Sequence, residues 1–281
     1  MAIDLTLTIC EQEHEQVSAY DRGLQFGDAH FTTMLVVNGQ IHLLENHIER
    51  LKLASETLSF PQLNWPLLKE QLIRLALNKT NEGTAVFKLI LSRGTSQRGY
   101  ASAKPSLPRG YLFISALPPH FLTLEEQGVD LGLAHFKLGL QPALAGIKHC
   151  NRLEQVLIKD ELVDRGISDA IVCDLNNRVI ETSVANIFMQ FENDKTWYTP
   201  NLSSSGIDGV ARQSIITKMQ QASLDVEVTV IDNSRLENTS AMFICNALMN
   251  IVPVNKLTFI SKKLDRQPVI ALKQLFKQLG V

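Results

Sequence analysis

Residues 144–158 read LAGIKHCNRLEQVLI and residues 179–188 read VIETSVANIF. The first stretch places Lys148 after Gly146 and the apolar Ile147, just before a polar opening, Asn151 and Arg152, into a run with helical character. Such a context lets the amine project into a cleft. The second stretch places Glu181 in a segment that reads as a strand, so a lysine and a carboxylate sit on regular elements of the same half of the chain.

Working outward, FTTMLVV at 31–37 and QIHLL at 40–44 flank Asn38-Gly39, a pair that adopts positive φ easily and predicts a hairpin. A helix over 46–59 follows, capped by Asn46, with Ile48, Leu51 and Leu58 near one face and Pro61 beyond its end. A second helix over 64–77 carries Trp65, Leu68, Leu72 and Leu75. Strands at 84–92 and 110–117 bracket the polar loop SRGTSQRGYASAKPSLPRG, and a loop of that length in a compact domain is more often functional than idle.

Consecutive prolines at 118 and 119, with His120, disfavour both helix and central strand and mark a linker. The expected division is a smaller α/β domain over 1–117, a linker over 118–122 and a larger α/β domain over 123–281 that carries Lys148. Strands are expected at 129–136, 169–174, 178–190, 226–232 and 240–246, and helices near 151–165, 209–221 and 267–279. This mixed order, with several strands in succession, predicts an α+β fold rather than a regular βαβ array.

Composition bounds the function. The 281 residues suit two domains, and a 45% hydrophobic fraction is ample for their cores. Net charge is −2 with both signs interspersed, which gives no electrostatic footprint for nucleic acid and favours a small-molecule substrate. Cys10, Cys150, Cys173 and Cys245 are scattered without paired spacing and read as reduced thiols of a cytoplasmic protein. The N-terminus lacks a secretory pattern, and no apolar run reaches the roughly 18 residues of a membrane span. His30, His47 and His149 lack a compact ligand set, so no metal is expected, and no GxSxG elbow supports a serine hydrolase.

The chemistry that needs a lysine and a carboxylate together is that of an aldehyde cofactor, pyridoxal 5'-phosphate. A partly desolvated lysine supplies a neutral amine for Schiff-base formation, and a carboxylate against a pyridine nitrogen keeps it protonated so that the ring accepts electrons. The third requirement is phosphate capture. GIDGVARQSIITKM at 206–219 offers a glycine turn into a helix whose N–H groups near Val210 and Ala211 suit an anion, and Arg50 adds positive charge. Taken singly, each residue also has an ordinary reading: Lys148, Arg50 and Arg98 as solvated cations, Glu181 as a turn carboxylate, Thr33 as strand packing.

In order along the chain, DRGLQFGDAHFTT (21–33), LLENHIERL (43–51), SRGTSQRGY (92–100), LAGIKHCNRLEQVLI (144–158), IETSVANIF (180–188), GVARQ (209–213) and ICNALMNIVPV (244–254) resemble the fold-type IV pyridoxal-phosphate enzymes over nearly the whole chain. The resemblance implies a two-domain fold like that of D-amino-acid aminotransferase and a homodimer. It implies that Lys148 holds the cofactor covalently, that Glu181 pairs with its ring nitrogen, and that Arg50, the Val210 and Ala211 amides, and the Asn246-Ala247 loop bind its phosphate. FGDAHFTT and KHCNRLEQ lie nearest the lyases of this group. That implies elimination on 4-amino-4-deoxychorismate to 4-aminobenzoate and pyruvate, in folate synthesis, with Thr33 supplying a hydroxyl, Thr32 structural, and Lys88, Arg98 and Tyr100 binding substrate carboxylates. An aminotransferase acting on branched-chain or D-amino acids is the alternative, and a cofactor-binding regulatory protein is a third.

Overall fold

In the computed structural model, residues 2–10, 17–79, 83–96, 99–102 and 106–278 are described. The chain divides into two compact units. One comprises Met1–Pro118 together with Ile147–Asn151, and the other Pro119–Gly146 with Arg152–Val281. The changeover between Pro118 and Pro119 lies where the proline pair was read as a linker, although Phe121 already begins a helix. Lys148 groups with the first unit, not with the C-terminal domain to which the sequence reading assigns it. The reason is backbone pairing. The Phe31 N–H donates to the Lys148 carbonyl at 2.9 Å and the Cys150 N–H donates to the Ala29 carbonyl at 2.8 Å, so residues 148–150 lie against residues 29–31 through an isolated antiparallel bridge, His30 to His149.

The described residues of the first unit build β1 (Thr6–Cys10), α1 (Arg22–Phe26), β2 (Ala29–Val37), β3 (Gln40–Ile41), α2 (Leu44–Thr57), α3 (Trp65–Lys79), β4 (Thr84–Ser92) and β5 (Arg109–Ser115). Their sheet has the order β1-β5-β4-β2-β3. Asn38 (φ 48°) and Gly39 (φ 76°) form the expected turn, and β3 ends at Ile41 because Leu43 (φ 52°) starts α2. That helix therefore begins ahead of Asn46, which does not cap it. Alternation along β2 sends Met34 and Val36 into a core with Phe87, Leu89, Leu112, Ile48, Leu51, Leu68 and Leu72. Phe31 and Thr33 occupy the opposite face.

The second unit contains α4 (Phe121–Gln127), β6 (Val129–Leu133), α5 (Leu153–Asp164), β7 (Ala170–Cys173), β8 (Val179–Thr182), β9 (Asn186–Phe191), β10 (Trp197–Pro200), α6 (Val210–Gln221), β11 (Val226–Thr229), β12 (Thr239–Asn246), β13 (Asn250–Leu257), β14 (Lys262–Lys263) and α7 (Gln267–Gln278). Its strands run in the order β11-β10-β9-β12-β13-β6-β7-β8, with β14 on β13. The single strand expected over 178–190 is broken after Thr182. Buried Asp169 draws in the Ser183 N–H at 3.1 Å and the Ser183 hydroxyl at 2.5 Å, and the Thr182 hydroxyl accepts the Ala185 N–H at 3.0 Å. No described helix is long and apolar enough to cross a membrane.

Candidate active site

In the first unit, the β2 face opposite the core gathers a compact set of side chains. Thr33 and Lys88 are cross-strand partners, as are Lys88 and Phe113, so their side chains share one face with Phe31. The Lys148 ammonium lies 4.8 Å from the Phe31 ring centroid and the Lys88 ammonium 5.2 Å from it. Two cations thus lean on one aromatic ring, with the Thr33 hydroxyl-bearing side chain one pleat along. Lys148 and Thr33 are half-buried and Lys88 is exposed.

Behind this face, on the core side of β2, Arg50 donates through Nη2 to the Thr32 hydroxyl oxygen. Thr32 Oγ1 also lies 2.6 Å from His47 Nδ1. Burial, reinforced by the charge of Arg50, holds the His47 pKa well below its usual value, which keeps the imidazole neutral. Thr32, read as structural, is the link through which His47 orients Arg50.

In the second unit, Glu181 is 6% exposed and its Oε2 accepts the Ile207 N–H at 2.9 Å. The turn that follows is tightly fitted. At Gly206 (φ +83°) a Cβ would meet Ile180 Cγ2 at 2.5 Å, and at Gly209 it would meet Asn186 Oδ1 at 2.2 Å. Asn186 closes this turn by donating to the Ile207 carbonyl at 2.8 Å and accepting the Gly209 N–H at 3.2 Å. The turn delivers the chain into α6, whose N-cap is Gly209 and which has no side-chain cap; Val210 and Ala211 are its first residues. Arg212, next in the helix, is tied by ion pairing to Asp208 at 2.7 Å and by hydrogen bonds to Thr199 and Pro200. Asn246 organises a second turn, its Oδ1 accepting the Leu248 and Met249 N–H groups at 2.9 and 3.1 Å, with Ala247 half-buried within it.

Of the residues read as substrate contacts, Tyr100 is 86% exposed and packs its ring 5.4 Å from that of Phe26. Arg98 lies outside the described residues. Sequence reading overlooked Phe31 as a site residue, and it overlooked Arg22, Asp28 and Asp169. The first three stand in a segment already quoted, DRGLQFGDAHFTT, where two charges bracketing a short helix were the available signal.

The chain belongs to the amino-transferase class IV family, which it matches over residues 29–257. Its fold is that of the fold-type IV enzymes. It is similar to the aminodeoxychorismate lyase of Vibrio harveyi, 33% identical over 245 residues that cover 87% of this chain and 89% of the relative. A solved structure of 4-amino-4-deoxychorismate lyase from Pseudomonas aeruginosa is 31% identical and superposes with a TM-score of 0.85, covering 96% of this chain and 98% of that one. A hypothetical aminotransferase from Mycobacterium tuberculosis in its PLP-bound form shares the fold, at 19% identity and a TM-score of 0.79 over 95% and 94% of the two chains.

Proposed function

We propose that this enzyme is a pyridoxal-phosphate-dependent lyase that converts 4-amino-4-deoxychorismate to 4-aminobenzoate and pyruvate. The observation that carries the reading is the Thr33 and Lys88 pair on the face where Lys148 leans on Phe31, in a chain 33% identical to a lyase over most of its length.

The donor set fits the cofactor group by group. Lys148 offers the amine for an aldehyde, and buried Glu181 offers a carboxylate for the ring nitrogen. The α6 N-terminus, free of any side-chain cap and closed around glycines that leave no room for a Cβ, suits the phosphate together with Arg50 and the Asn246-Ala247 turn. When bound, pyridoxal phosphate supplies an electron sink next to the substrate amine.

The residues then divide the reaction. With the substrate amine held by the cofactor in its stead, Lys148 would be free to act as a base. Lys148 removes the proton from the amine-bearing ring carbon. The neighbouring carbon–oxygen bond to the enolpyruvyl group breaks, and the six-membered ring becomes aromatic. Thr33 would deliver a proton to the methylene carbon of the departing enolpyruvate, which leaves as pyruvate; the proton held by Lys148 would restore the Thr33 hydroxyl, and Lys148 would resume its place as 4-aminobenzoate departs. Lys88 and Tyr100, with Arg98, bind the substrate carboxylates.

The family resemblance supports a cytoplasmic homodimer that supplies 4-aminobenzoate to folate synthesis. The test is an assay of purified, cofactor-loaded protein with 4-amino-4-deoxychorismate, following both products, with branched-chain and D-amino acids and 2-oxo acids in parallel. Equal release of 4-aminobenzoate and pyruvate is expected. Efficient amino-group exchange without those products would make the aminotransferase reading the correct one.

A further inference from the structure

Arg22 is 4% exposed, yet it directs its guanidinium at a loop. Nε donates to Asp28 Oδ2 at 2.8 Å, Nη1 to Ser96 Oγ at 2.9 Å and to the carbonyls of Gly99 and Ala101 at 3.2 and 3.4 Å, and Nη2 to the Tyr100 carbonyl at 2.6 Å. Three successive carbonyls are held by one side chain. The same Asp28 oxygen accepts Arg93 Nε at 2.7 Å, and Arg93 holds the Leu58 and Ser59 carbonyls, just beyond α2, at 2.5 and 2.9 Å. One carboxylate therefore yokes the loop of Tyr100 to the end of the helix that carries His47 and Arg50.

The base of the clamp is rigid. Asp21 caps α1 by accepting the Gly23 N–H at 2.8 Å, and the same carboxylate accepts the Ser92 hydroxyl at 2.5 Å and the Tyr111 hydroxyl at 2.9 Å. The Arg22 N–H donates to the Gly94 carbonyl at 2.9 Å. Helix α1 is thus pinned to β4 and β5 before Arg22 reaches out.

Burying an arginine is costly unless its donors are satisfied, and here they are satisfied by the Asp28 carboxylate, the Ser96 hydroxyl and the main-chain carbonyls of residues 99–101. The outcome is an exposed tyrosine side chain on an immobilised main chain. A group presented this way loses little conformational freedom when a ligand binds, and that economy appears as affinity. The geometry points to Arg22 as a positioning residue that fixes the 99–101 main chain so that Tyr100 meets the carboxylates of the substrate; the inference rests on the assignment of Tyr100 as a substrate contact made above.

Arg22→Met and Arg22→Lys, prepared as holoenzyme, test this alongside the wild type. Arg22→Met should raise KM for 4-amino-4-deoxychorismate at least tenfold while kcat stays within about threefold, with cofactor content unchanged and faster amide hydrogen exchange confined to Gly99–Ser102. Arg22→Lys keeps a charge opposite Asp28 but cannot span the three carbonyls, so it should fall between; it carries the same test if the methionine variant does not fold. An unchanged KM in an active enzyme, or a joint fall of kcat and cofactor content, would overturn the positioning role. Failure of the wild type to release either product would instead refute the lyase reading, and the exchange measurement would then decide the clamp by itself, with unchanged protection in Arg22→Met counting against it.

Discussion

The Phe31 amide donates to the Lys148 carbonyl at 2.9 Å while the Phe31 ring lies 4.8 Å from the Lys148 ammonium, so one residue fixes both the main chain and the side chain of the lysine. Substituting Phe31→Leu leaves the backbone bond intact and removes only the ring. A cation–π contact of this kind contributes about 1 kcal/mol. Without the ring that seats its side chain, Lys148 is less well placed as the base, and the variant should lose about fivefold in kcat with little change in melting temperature, because Phe31 is only partly buried. Steady-state kinetics and a thermal melt on the same preparation check this, and an unchanged kcat would show that the ring is packing alone.

Glu181→Gln preserves an oxygen able to accept the Ile207 N–H and removes the charge. If the carboxylate keeps the cofactor nitrogen protonated, kcat should fall on the order of 10²-fold while cofactor content and stability hold. Restoration of the rate by a cofactor analogue carrying a fixed positive charge on the ring nitrogen would confirm the electrostatic cause. A variant as fast as the wild type would leave Glu181 a turn residue.

His30 gives the first unit a pH-dependent stability. Its Nε2 lies 3.0 Å from Ser55 Oγ, and burial, then the charges of Arg50 and Arg93, push its pKa down to about 4. The unfolded chain protonates His30 below about pH 6.5, whereas the folded chain does not until about pH 4. The folded state is consequently penalised as pH falls through that window and unaffected above it. The wild type should lose about 2 kcal/mol between pH 7.5 and pH 5 from this residue. His30→Asn should show a correspondingly shallower dependence in denaturant titrations, with His47 contributing in the same direction in both proteins. Parallel pH curves for the two would rule out the assignment.

The hairpin at Asn38-Gly39 was legible because its signal is local: two residues able to take positive φ between apolar runs. Motif order drew attention to Lys148, Glu181, Arg50 and the α6 entry as candidates, and their roles rest on the proposed function. Features governed by distant partners were not. β13 is not among the strands expected from the sequence; it carries Pro253 in its middle, a residue that local patterning disfavours in a paired strand, yet it pairs there with β12 in the register Phe243 to Pro253. The break after Thr182 depends on Asp169, fourteen residues before Ser183. The pairing of 148–150 with β2 spans more than a hundred residues, so no local pattern could have moved Lys148 into the first unit.

Gly209 tests the phosphate cradle without touching a charge. A methyl there would stand 2.2 Å from Asn186 Oδ1, the atom that accepts the Gly209 N–H. Asn186 cannot simply swing aside, because its Nδ2 also holds the Ile207 carbonyl at 2.8 Å and the residue is 5% exposed. Gly209→Ala must therefore shift either the turn or the start of α6, and overpacking of this kind costs about 1–3 kcal/mol. The shift moves the Val210 and Ala211 amides off their line. Cofactor affinity of the apo-protein should weaken on the order of tenfold or more, read by titration with pyridoxal phosphate, with a lowered melting temperature. If stability falls but affinity does not, the α6 N-terminus is a structural turn and the phosphate is bound elsewhere.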